Sequence, residues 1–343
     1  MTPDDDRARA WRARGSTFRW APRDGGTEVA VFHVEAGRAE DPVLVLVHGF
    51  PTCSVDWHEV FDLLAGRYRV CALDLPGYGF SDKPVGWGYS LARDAELLDH
   101  YVREVLGVTS LSILAHDRGS SVALNYVLGR VAGESPTITH LALTNANIFL
   151  PLSNLTEFQR LVLDPARAPE VLAALTPEML AAGMGEVTYS PPRPAQHPDV
   201  SALAATFAHD DGVAVLHETI QYLVERAAHE REWLTRLAGL DVPTTLIWGL
   251  LDTVSPPRVA ARVWDEFLML KPGRNLFYLV PGANHYLQVD RPGSVVDAFV
   301  HAERAAADVA PGAIGPDLFA PVLVDRSRAR LPEATEVLRG ADL

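Results

Sequence analysis

The sequence predicts an α/β fold in which a mostly parallel central sheet is flanked by helices and carries an inserted helical cap. Three observations support this class. Short apolar runs rich in β-branched residues end in loops with polar residues, a strand, turn and helix signal surrounds Asp117, and a long Ala- and Leu-rich stretch of helical spacing separates the middle and late strand signals. With 343 residues, 48% of them apolar, the chain can form one large domain of about 250 residues plus a cap.

The first informative strand signal covers residues 42–47 and leads directly into a loop that begins His-Gly-Phe. The glycine lets the main chain approach a substrate closely, and Pro51 stiffens the loop. We therefore expect the backbone amides of Phe50 and Arg118 to form an oxyanion hole. Asp74 also follows a strand signal, and we interpret it as a support for this loop.

Asp117 occupies the apex of a predicted turn between a strand at 111–114 and a helix at 120–128. Small residues, Ala115 and Gly119, stand two positions before and two positions after it, as a nucleophile elbow requires. A carboxylate at the apex attacks saturated carbon and gives an alkyl ester, whereas a serine would attack a carbonyl group. The alternative interpretation is an Asp that only caps the N-terminus of the helix.

Two later strand signals supply the partners of such a nucleophile. Thr244–Gly249 is followed by Asp252, and 275–280 leads through a Pro-Gly turn to His285. The order of nucleophile, acid and histidine along the chain is the order found in α/β-hydrolases. Asp252 is alternatively an ordinary turn residue. His116 is the second candidate for the base, although we expect its ring to point to the opposite side of the turn.

Five segments together resemble the α/β-hydrolase branch that contains epoxide hydrolases and dehalogenases, over about residues 15–302. They are residues 48–52, 74–82, 116–119, 248–252 and 282–285. Within that branch the chain is most similar to the mesoderm-specific-transcript group of epoxide-hydrolase-like proteins. That similarity is carried by 50–52 with Asp56 and Trp57, by 79–84 and by 145–149.

The resemblance implies a two-step mechanism. The Asp117 carboxylate opens the substrate at carbon and forms a covalent ester. His285, oriented by Asp252, then deprotonates the water that attacks this ester, while the amides of Phe50 and Arg118 stabilise the oxyanion. The implied activity is an epoxide hydrolase. The alternatives are a haloalkane or haloacid dehalogenase with the same triad and, from a different class, a non-catalytic binding protein on a hydrolase scaffold.

The predicted substrate contacts follow from the same resemblance. Family epoxide hydrolases supply tyrosines from the cap, and the predicted cap holds Tyr189 and Tyr222, for each of which a core role is an equal alternative. His48 and Trp57 are further substrate-binding candidates. Arg118 resembles an arginine with which fluoroacetate dehalogenases bind a carboxylate, although the position of their second arginine holds a serine here. A surface salt bridge is its alternative role.

The strand signals and the composition divide the chain into four parts. Residues 1–146 and 241–303 form the two parts of the α/β-hydrolase core, 147–240 form the helical cap, and 304–343 form a C-terminal extension rich in Ala, Pro and Gly. The extension contains an apolar segment at 318–323. The sequence leaves open whether it packs on the main domain, packs on a second subunit in a homo-oligomer, or is flexible.

Composition excludes several other classes. The 30 Lys and Arg against 44 Asp and Glu give a net charge of −14, which argues against binding to nucleic acid or to an anionic membrane. Two cysteines are too few for a disulfide framework, and no zinc-type spacing or dinucleotide-binding glycine motif is present. We therefore expect a cytoplasmic enzyme that acts on a small molecule without a metal or an organic cofactor, since the first residues also lack the apolar stretch of a signal peptide.

Overall fold

The computed structural model describes residues 5–130, 133, 135–307 and 322–323. The predicted extension at 304–343 lies outside the described residues, except for the end of the last helix and residues 322–323. Among the described residues, no helix combines the length and the apolar character needed to cross a membrane.

The centre of the described chain is one sheet with the strand order β1-β2-β4-β3-β5-β6-β7-β8-β9. The pairs β1–β2 and β2–β4 are antiparallel, and the other pairs are parallel, which confirms the predicted α/β class. The strands are β1 Ser16–Trp20, β2 Val29–Ala36, β3 Val43–Val47, β4 Arg69–Leu73, β5 Ser110–His116, β6 Thr137–Thr144, β7 Thr244–Gly249, β8 Leu276–Val280 and β9 Val322–Leu323.

Central strands are buried because helices cover both faces of a parallel sheet. Every residue of β3 and of β7 is buried, and β3 consists only of alternating Val and Leu, which suit a pleated, enclosed surface. Seven α-helices of the described chain belong to the two parts before β6 and after β7: α1 Asp6–Arg14, α2 His58–Leu64, α3 Leu91–His100, α4 Arg118–Leu128, α11 Pro257–Val263, α12 Leu287–Asp290 and α13 Pro292–Ala307. Helix α13 packs on α2 and on β6, β7 and β8, whereas α4 packs on α3 and on the helix α10 Tyr222–Ala238.

A group of helices is inserted between β6 and β7, and we call these helices the cap. They are α5 Glu157–Leu163, α6 Ala168–Ala173, α7 Pro177–Val187, α8 Pro198–Ala208, α9 Leu216–Thr219 and α10 Tyr222–Ala238. Several begin with a polar cap: Thr156 and Thr176 accept hydrogen bonds from the first turns of α5 and α7. Because parallel strands share one carboxyl edge, the loops after β3, β5, β7 and β8 converge beneath this group.

Candidate active site

Asp117 is the single residue that connects β5 to α4. Its backbone conformation is strained, with φ 45° and ψ −115°. The turn is so tight that neighbouring glycines are sterically required. A Cβ at Gly119 would lie 2.5 Å from the carbonyl oxygens of Val47 and His48, and one at Gly49 would lie 2.8 Å from Cβ of Asp117. The Asp117 side chain makes no capping hydrogen bond to α4, so the alternative interpretation as a simple N-cap is wrong.

The two carboxylate oxygens of Asp117 have different surroundings. Oδ2 accepts a hydrogen bond from the backbone N–H of Phe50 at 3.1 Å and one from the Tyr222 hydroxyl at 3.4 Å. Oδ1 is buried and has no hydrogen-bond partner among the described residues. Such an arrangement leaves one oxygen free to attack and fixes the other where the carbonyl oxygen of an ester would lie. The predicted second oxyanion donor, the amide of Arg118, stays a prediction.

The loop that follows β3 and contains Phe50, which we call the oxyanion loop, is held by hydrogen bonds on both sides. The Tyr286 hydroxyl donates to the carbonyl oxygen of Phe50 at 3.0 Å. Asp74 accepts from the amides of Ser54 and Phe80, each at 2.7 Å, and so supports the loop as the sequence suggests. His48 also belongs to this support.

The ring of His48 has no nitrogen left for a substrate. Its Nδ1 contacts the Gly49 carbonyl oxygen at 2.9 Å, and its Nε2 accepts from the amide of Leu75 at 3.0 Å. Burial lowers its pKa to about 3, so the ring is neutral and can accept at Nε2. The substrate-binding role predicted for His48 is therefore wrong, because main-chain groups occupy both nitrogens.

His285 and Asp252 form a close pair. Nδ1 of His285 lies 3.1 Å from both carboxylate oxygens of Asp252. The amides of Val254 and Ser255 donate to Asp252 Oδ1 at 2.8 Å, and the Asn145 side chain donates to Oδ2 at 2.8 Å. These bonds fix the carboxylate so that the imidazole presents its other nitrogen away from Asp252.

The pKa of His285 is raised above the ordinary value of 6.5. Burial alone would lower this pKa, but the charge of Asp252 and its hydrogen bond outweigh that effect, and the charge of Asp117 adds to it. The ring is therefore protonated up to a higher pH than an ordinary histidine. Since only the neutral ring can take a proton from water, the base becomes competent as the pH rises through this raised pKa.

His116 does not point away from the catalytic residues as expected. Its ring centroid lies 5.1 Å from that of His285 and 5.0 Å from that of Tyr286. Burial and the neighbouring His285 hold the pKa of His116 well below its usual value, so the ring stays neutral. It acts as packing for the catalytic imidazole, and Trp57 packs edge to face on its other side at 6.4 Å.

The two cap tyrosines occupy different places. Tyr222 contacts Asp117, and burial and the Asp117 charge raise its pKa well above the usual value, so its hydroxyl keeps its proton. Tyr189 instead packs on the ring of Tyr286 at 5.4 Å, with the guanidinium of Arg193 4.7 Å from its own ring. The structure thus brings one of the two predicted cap tyrosines to the nucleophile.

Arg118 is fully buried and forms an ion pair with Asp94, which is also fully buried. Its guanidinium lies 5.1 Å from the ring of Tyr78 and 5.4 Å from that of Tyr222. The alternative of a surface salt bridge is wrong, because the pair is inside the protein. Asp94 already compensates the positive charge of Arg118, so Arg118 attracts an anionic substrate group less strongly than an unpaired arginine would. The predicted binding of such a group by Arg118 stays a prediction.

A cavity of about 370 Å³ reaches His285 from the cap side. Its lining is mostly apolar and comes chiefly from cap helices, with Phe50 and Tyr286 beside His285 at the catalytic end. The remaining lining residues are Pro51, Thr156, Phe158, Gln159, Leu175, Met179, Leu180, Gly183, Met184, Val187, Thr188 and Val254. Trp57 is buried outside this cavity, and its indole N–H has no partner among the described residues.

Sequence reasoning did not single out two buried polar residues that lie around the triad and the oxyanion loop. Asn145 binds Asp252 and also accepts from the amide of Gly249 at 3.0 Å. Asp56 is buried beside the oxyanion loop, where it shares a hydrogen bond with Thr52, and burial raises its pKa to about 8. Asn145 and Asp56 both lie in segments on which the family resemblance rests. Their position in these segments is the sequence signal that could have identified them. No cluster of three or more His, Cys, Asp or Glu in the described ranges is arranged to hold a metal ion.

Residues 42–292 match the family model of the alpha/beta hydrolase fold. The chain belongs to the α/β-hydrolase fold family. This α/β-hydrolase is 31% identical over 303 residues to the mesoderm-specific transcript protein of Mus musculus, a match that covers 85% of this chain and 86% of the relative. That relative confirms the resemblance drawn from the sequence.

Two further proteins are similar to this α/β-hydrolase. It is 25% identical over 294 residues to haloalkane dehalogenase 2 of Mycobacterium bovis, which covers 82% of this chain and 93% of the dehalogenase. The crystal structure of the Cif epoxide hydrolase from Acinetobacter nosocomialis superposes with a TM-score of 0.69 at 14% identity, over 84% of this chain and 89% of that one. At this low identity the structural likeness shows the fold alone.

Proposed function

We propose that this α/β-hydrolase opens an epoxide through a covalent ester on Asp117 and then hydrolyses that ester. The observation that carries the proposal is the asymmetry of the Asp117 carboxylate. Oδ1 has no hydrogen-bond partner in the described part of the chain, while Oδ2 is held by the Phe50 amide and contacts Tyr222. A serine at this apex would be an acyl-transfer nucleophile, whereas a carboxylate is suited to attack at saturated carbon.

In the first step, Asp117 Oδ1 attacks one carbon of the epoxide, and the bond from that carbon to the ring oxygen breaks. The electron pair of that bond passes to the oxygen, which takes the proton of the Tyr222 hydroxyl. An alkoxide is a stronger base than a phenolate, so the transfer is favourable even though the pKa of Tyr222 is raised. The product is an ester whose carbonyl oxygen is Oδ2, already hydrogen-bonded to Phe50.

In the second step, neutral His285 takes a proton from water, and the resulting hydroxide attacks the carboxyl carbon of Asp117. The charge that develops on Oδ2 is stabilised by the Phe50 amide. Collapse of this intermediate breaks the ester bond, and the imidazolium returns its proton to the departing oxygen. A diol leaves, and Asp117 is left as a carboxylic acid that contains one oxygen from water. Its proton passes to the Tyr222 phenolate, whose oxygen lies 3.4 Å from Oδ2, and this transfer restores both groups.

Label exchange with water tests this mechanism. Multiple turnovers of an epoxide panel in oxygen-18 water are expected to place the label in the Asp117 carboxylate, because the attacking water oxygen remains there. Mass spectrometry of the peptide that contains residue 117 measures the incorporation, and the peptide that contains Asp74 is the internal control. A panel that is turned over without label in Asp117 would exclude the covalent route, and absence of turnover with every epoxide and haloalkane tested would favour a binding protein.

A dehalogenase is the second candidate, because a carboxylate with one oxygen free of hydrogen-bond partners among the described residues also suits attack on a carbon that carries a halide. The 25% identity to a haloalkane dehalogenase points the same way. Tyr222 favours the epoxide, since only an alkoxide leaving group requires a proton.

Tyr222→Phe separates these two functions. We expect the substitution to lower kcat for diol formation about 100-fold, a usual magnitude for losing a general acid, and to change halide release from a haloalkane by less than about threefold. The matched control is Tyr189→Phe, which removes the hydroxyl of the other predicted cap tyrosine. Chromatography measures the diol, and a halide electrode measures the released halide. An equal loss of kcat for epoxides and haloalkanes would contradict the acid role of Tyr222.

A further inference from the structure

Arg226 is a buried cation to which no carboxylate of the described residues is hydrogen-bonded. Its side chain is 1% exposed, and Nε, Nη1 and Nη2 all lack a hydrogen-bond partner among the described residues. The other fully buried arginine of the site, Arg118, is paired with Asp94. Burying a guanidinium costs several kcal/mol unless a partner compensates the charge. The contact that remains to Arg226 is the ring of Tyr222, 5.0 Å from the guanidinium carbon.

The neighbouring carboxylates on α10 are engaged elsewhere. Glu230 accepts from the backbone amide of Phe149 at 2.8 Å, and Glu225 accepts from that of Leu91 at 2.8 Å. Burial raises the pKa of Glu230, while the Phe149 amide and the charge of Arg226 lower it, so Glu230 interacts with Arg226 through space without a hydrogen bond to it. Neither carboxylate therefore forms a hydrogen bond with Arg226 in the described part of the chain.

The helix α10 places this cation between the nucleophile and the loop after β6. Tyr222, Arg226 and Glu230 are spaced four residues apart and so lie along one side of the helix. Tyr222 contacts Asp117 at one end, and Glu230 binds Phe149 at the other. Arg226 thus lies one helical turn from the residue that touches the reacting carboxylate.

Asn147 provides a second, independent observation. It lies on the loop that runs from Asn145, bound to Asp252, to Phe149, bound to Glu230. Its side chain is 0% exposed, and both its Nδ2 and its Oδ1 lack a partner among the described residues. A buried amide without hydrogen bonds is as unusual as a buried guanidinium without them.

We infer that Arg226, with Asn147, binds a carboxylate group of the substrate. The planar guanidinium matches a carboxylate with two parallel N–H donors, and the Asn147 amide can supply a third. The inference rests on the proposed function and narrows its substrate to an epoxide with two unlike arms. One arm ends in a carboxylate at Arg226, and an apolar arm occupies the cavity beside His285.

Carboxylate binding can be measured without turnover. Titration calorimetry is expected to show that hexanoate binds the wild-type protein more tightly than hexan-1-ol does, since the two differ in charge and share chain length. Arg226→Met is expected to weaken hexanoate binding by about 10- to 100-fold, as loss of a charged hydrogen-bonding partner does. Arg231→Met is the matched control, because Arg231 lies on the same helix with a side chain that is 65% exposed, and it should bind hexanoate like the wild type.

Two further variants keep the inference testable. Asn147→Ala should weaken hexanoate binding by about 3- to 10-fold, which provides a second readout if Arg226→Met does not fold. Asp117→Asn should bind hexanoate more tightly than the wild type, because it removes a nearby like charge. The two proposals can fail separately. If hexanoate binds but turnover places no oxygen-18 in Asp117, the carboxylate site is supported and the proposed covalent mechanism is overturned.

The inference itself is overturned by equal binding of hexanoate and hexan-1-ol to the wild type. Unchanged hexanoate binding in Arg226→Met overturns it as well. A structural role predicts that Arg226→Met lowers the melting temperature, whereas a cation without a hydrogen-bonded counter-ion predicts no loss of stability, because replacement of a buried charge by an apolar side chain is often neutral or stabilising. A lowered melting temperature with unchanged hexanoate affinity would assign Arg226 a packing role.

Discussion

His285→Gln is expected to stop the reaction halfway, with the substrate bound covalently to Asp117. The first step needs the free oxygen of Asp117 and the hydroxyl of Tyr222, and neither depends on the imidazole. The second step needs a base for water, which glutamine cannot provide. We expect kcat to fall by at least about 10³-fold. Intact-mass spectrometry should show one substrate added per protein, and peptide mapping should place it at residue 117.

The control for this variant is His229→Gln, since His229 lies on the cap with a side chain that is 51% exposed and should leave kcat unchanged. A His285→Gln protein that turns over at the wild-type rate would refute the role of the imidazole. An inactive variant with no adduct, in a protein that still binds substrate, would show that His285 acts before ester formation.

Asp117→Ala is expected to lower kcat by about 10⁴-fold or more, because no other carboxylate takes the place of the attacking oxygen. The loss should not reflect unfolding, because two effects on stability oppose each other. Alanine removes Oδ1, which is buried without a partner among the described residues, and also Oδ2, which accepts from the Phe50 amide. Steady-state kinetics together with a melting curve measure both effects. Wild-type stability with lost activity is the expected result.

Asp62→Ala serves as the matched control, because Asp62 is exposed and pairs with Arg14 at the surface. Alanine is preferable to asparagine at position 117, since deamidation of asparagine would restore the carboxylate. Residual kcat of Asp117→Ala within tenfold of the wild type would eliminate the nucleophile assignment.

The framework of the site follows from sequence because it depends on strand ends. Thr244–Gly249 has the bounds that its apolar, β-branched pattern predicts, and the loops behind it and behind β8 deliver Asp252 and His285 to one point. The carboxyl ends of parallel strands lie at one edge of the sheet. The sequence is therefore sufficient to predict that polar residues in the loops after these strands lie close together.

The surroundings of the triad depend on packing that no local pattern encodes. Tyr189 and Tyr222 are equivalent in the sequence, and only the path of the cap helices brings Tyr222 to Asp117. The burial of Arg118 against Asp94 depends on α3 packing on α4. Arg226 falls in a charged, amphipathic helix pattern typical of an exposed face, and its isolation is visible only in three dimensions.

The division of the catalytic groups between cap and core has a consequence for the order of events. Phe50, Asp252 and His285 all belong to core loops, whereas Tyr222 belongs to the cap helix α10. In the proposed mechanism, ring opening therefore requires a cap helix in contact with the core, whereas the base and the oxyanion donor of ester cleavage come from the core alone. A substitution that loosens α10 is thus expected to slow the first half-reaction more than the second.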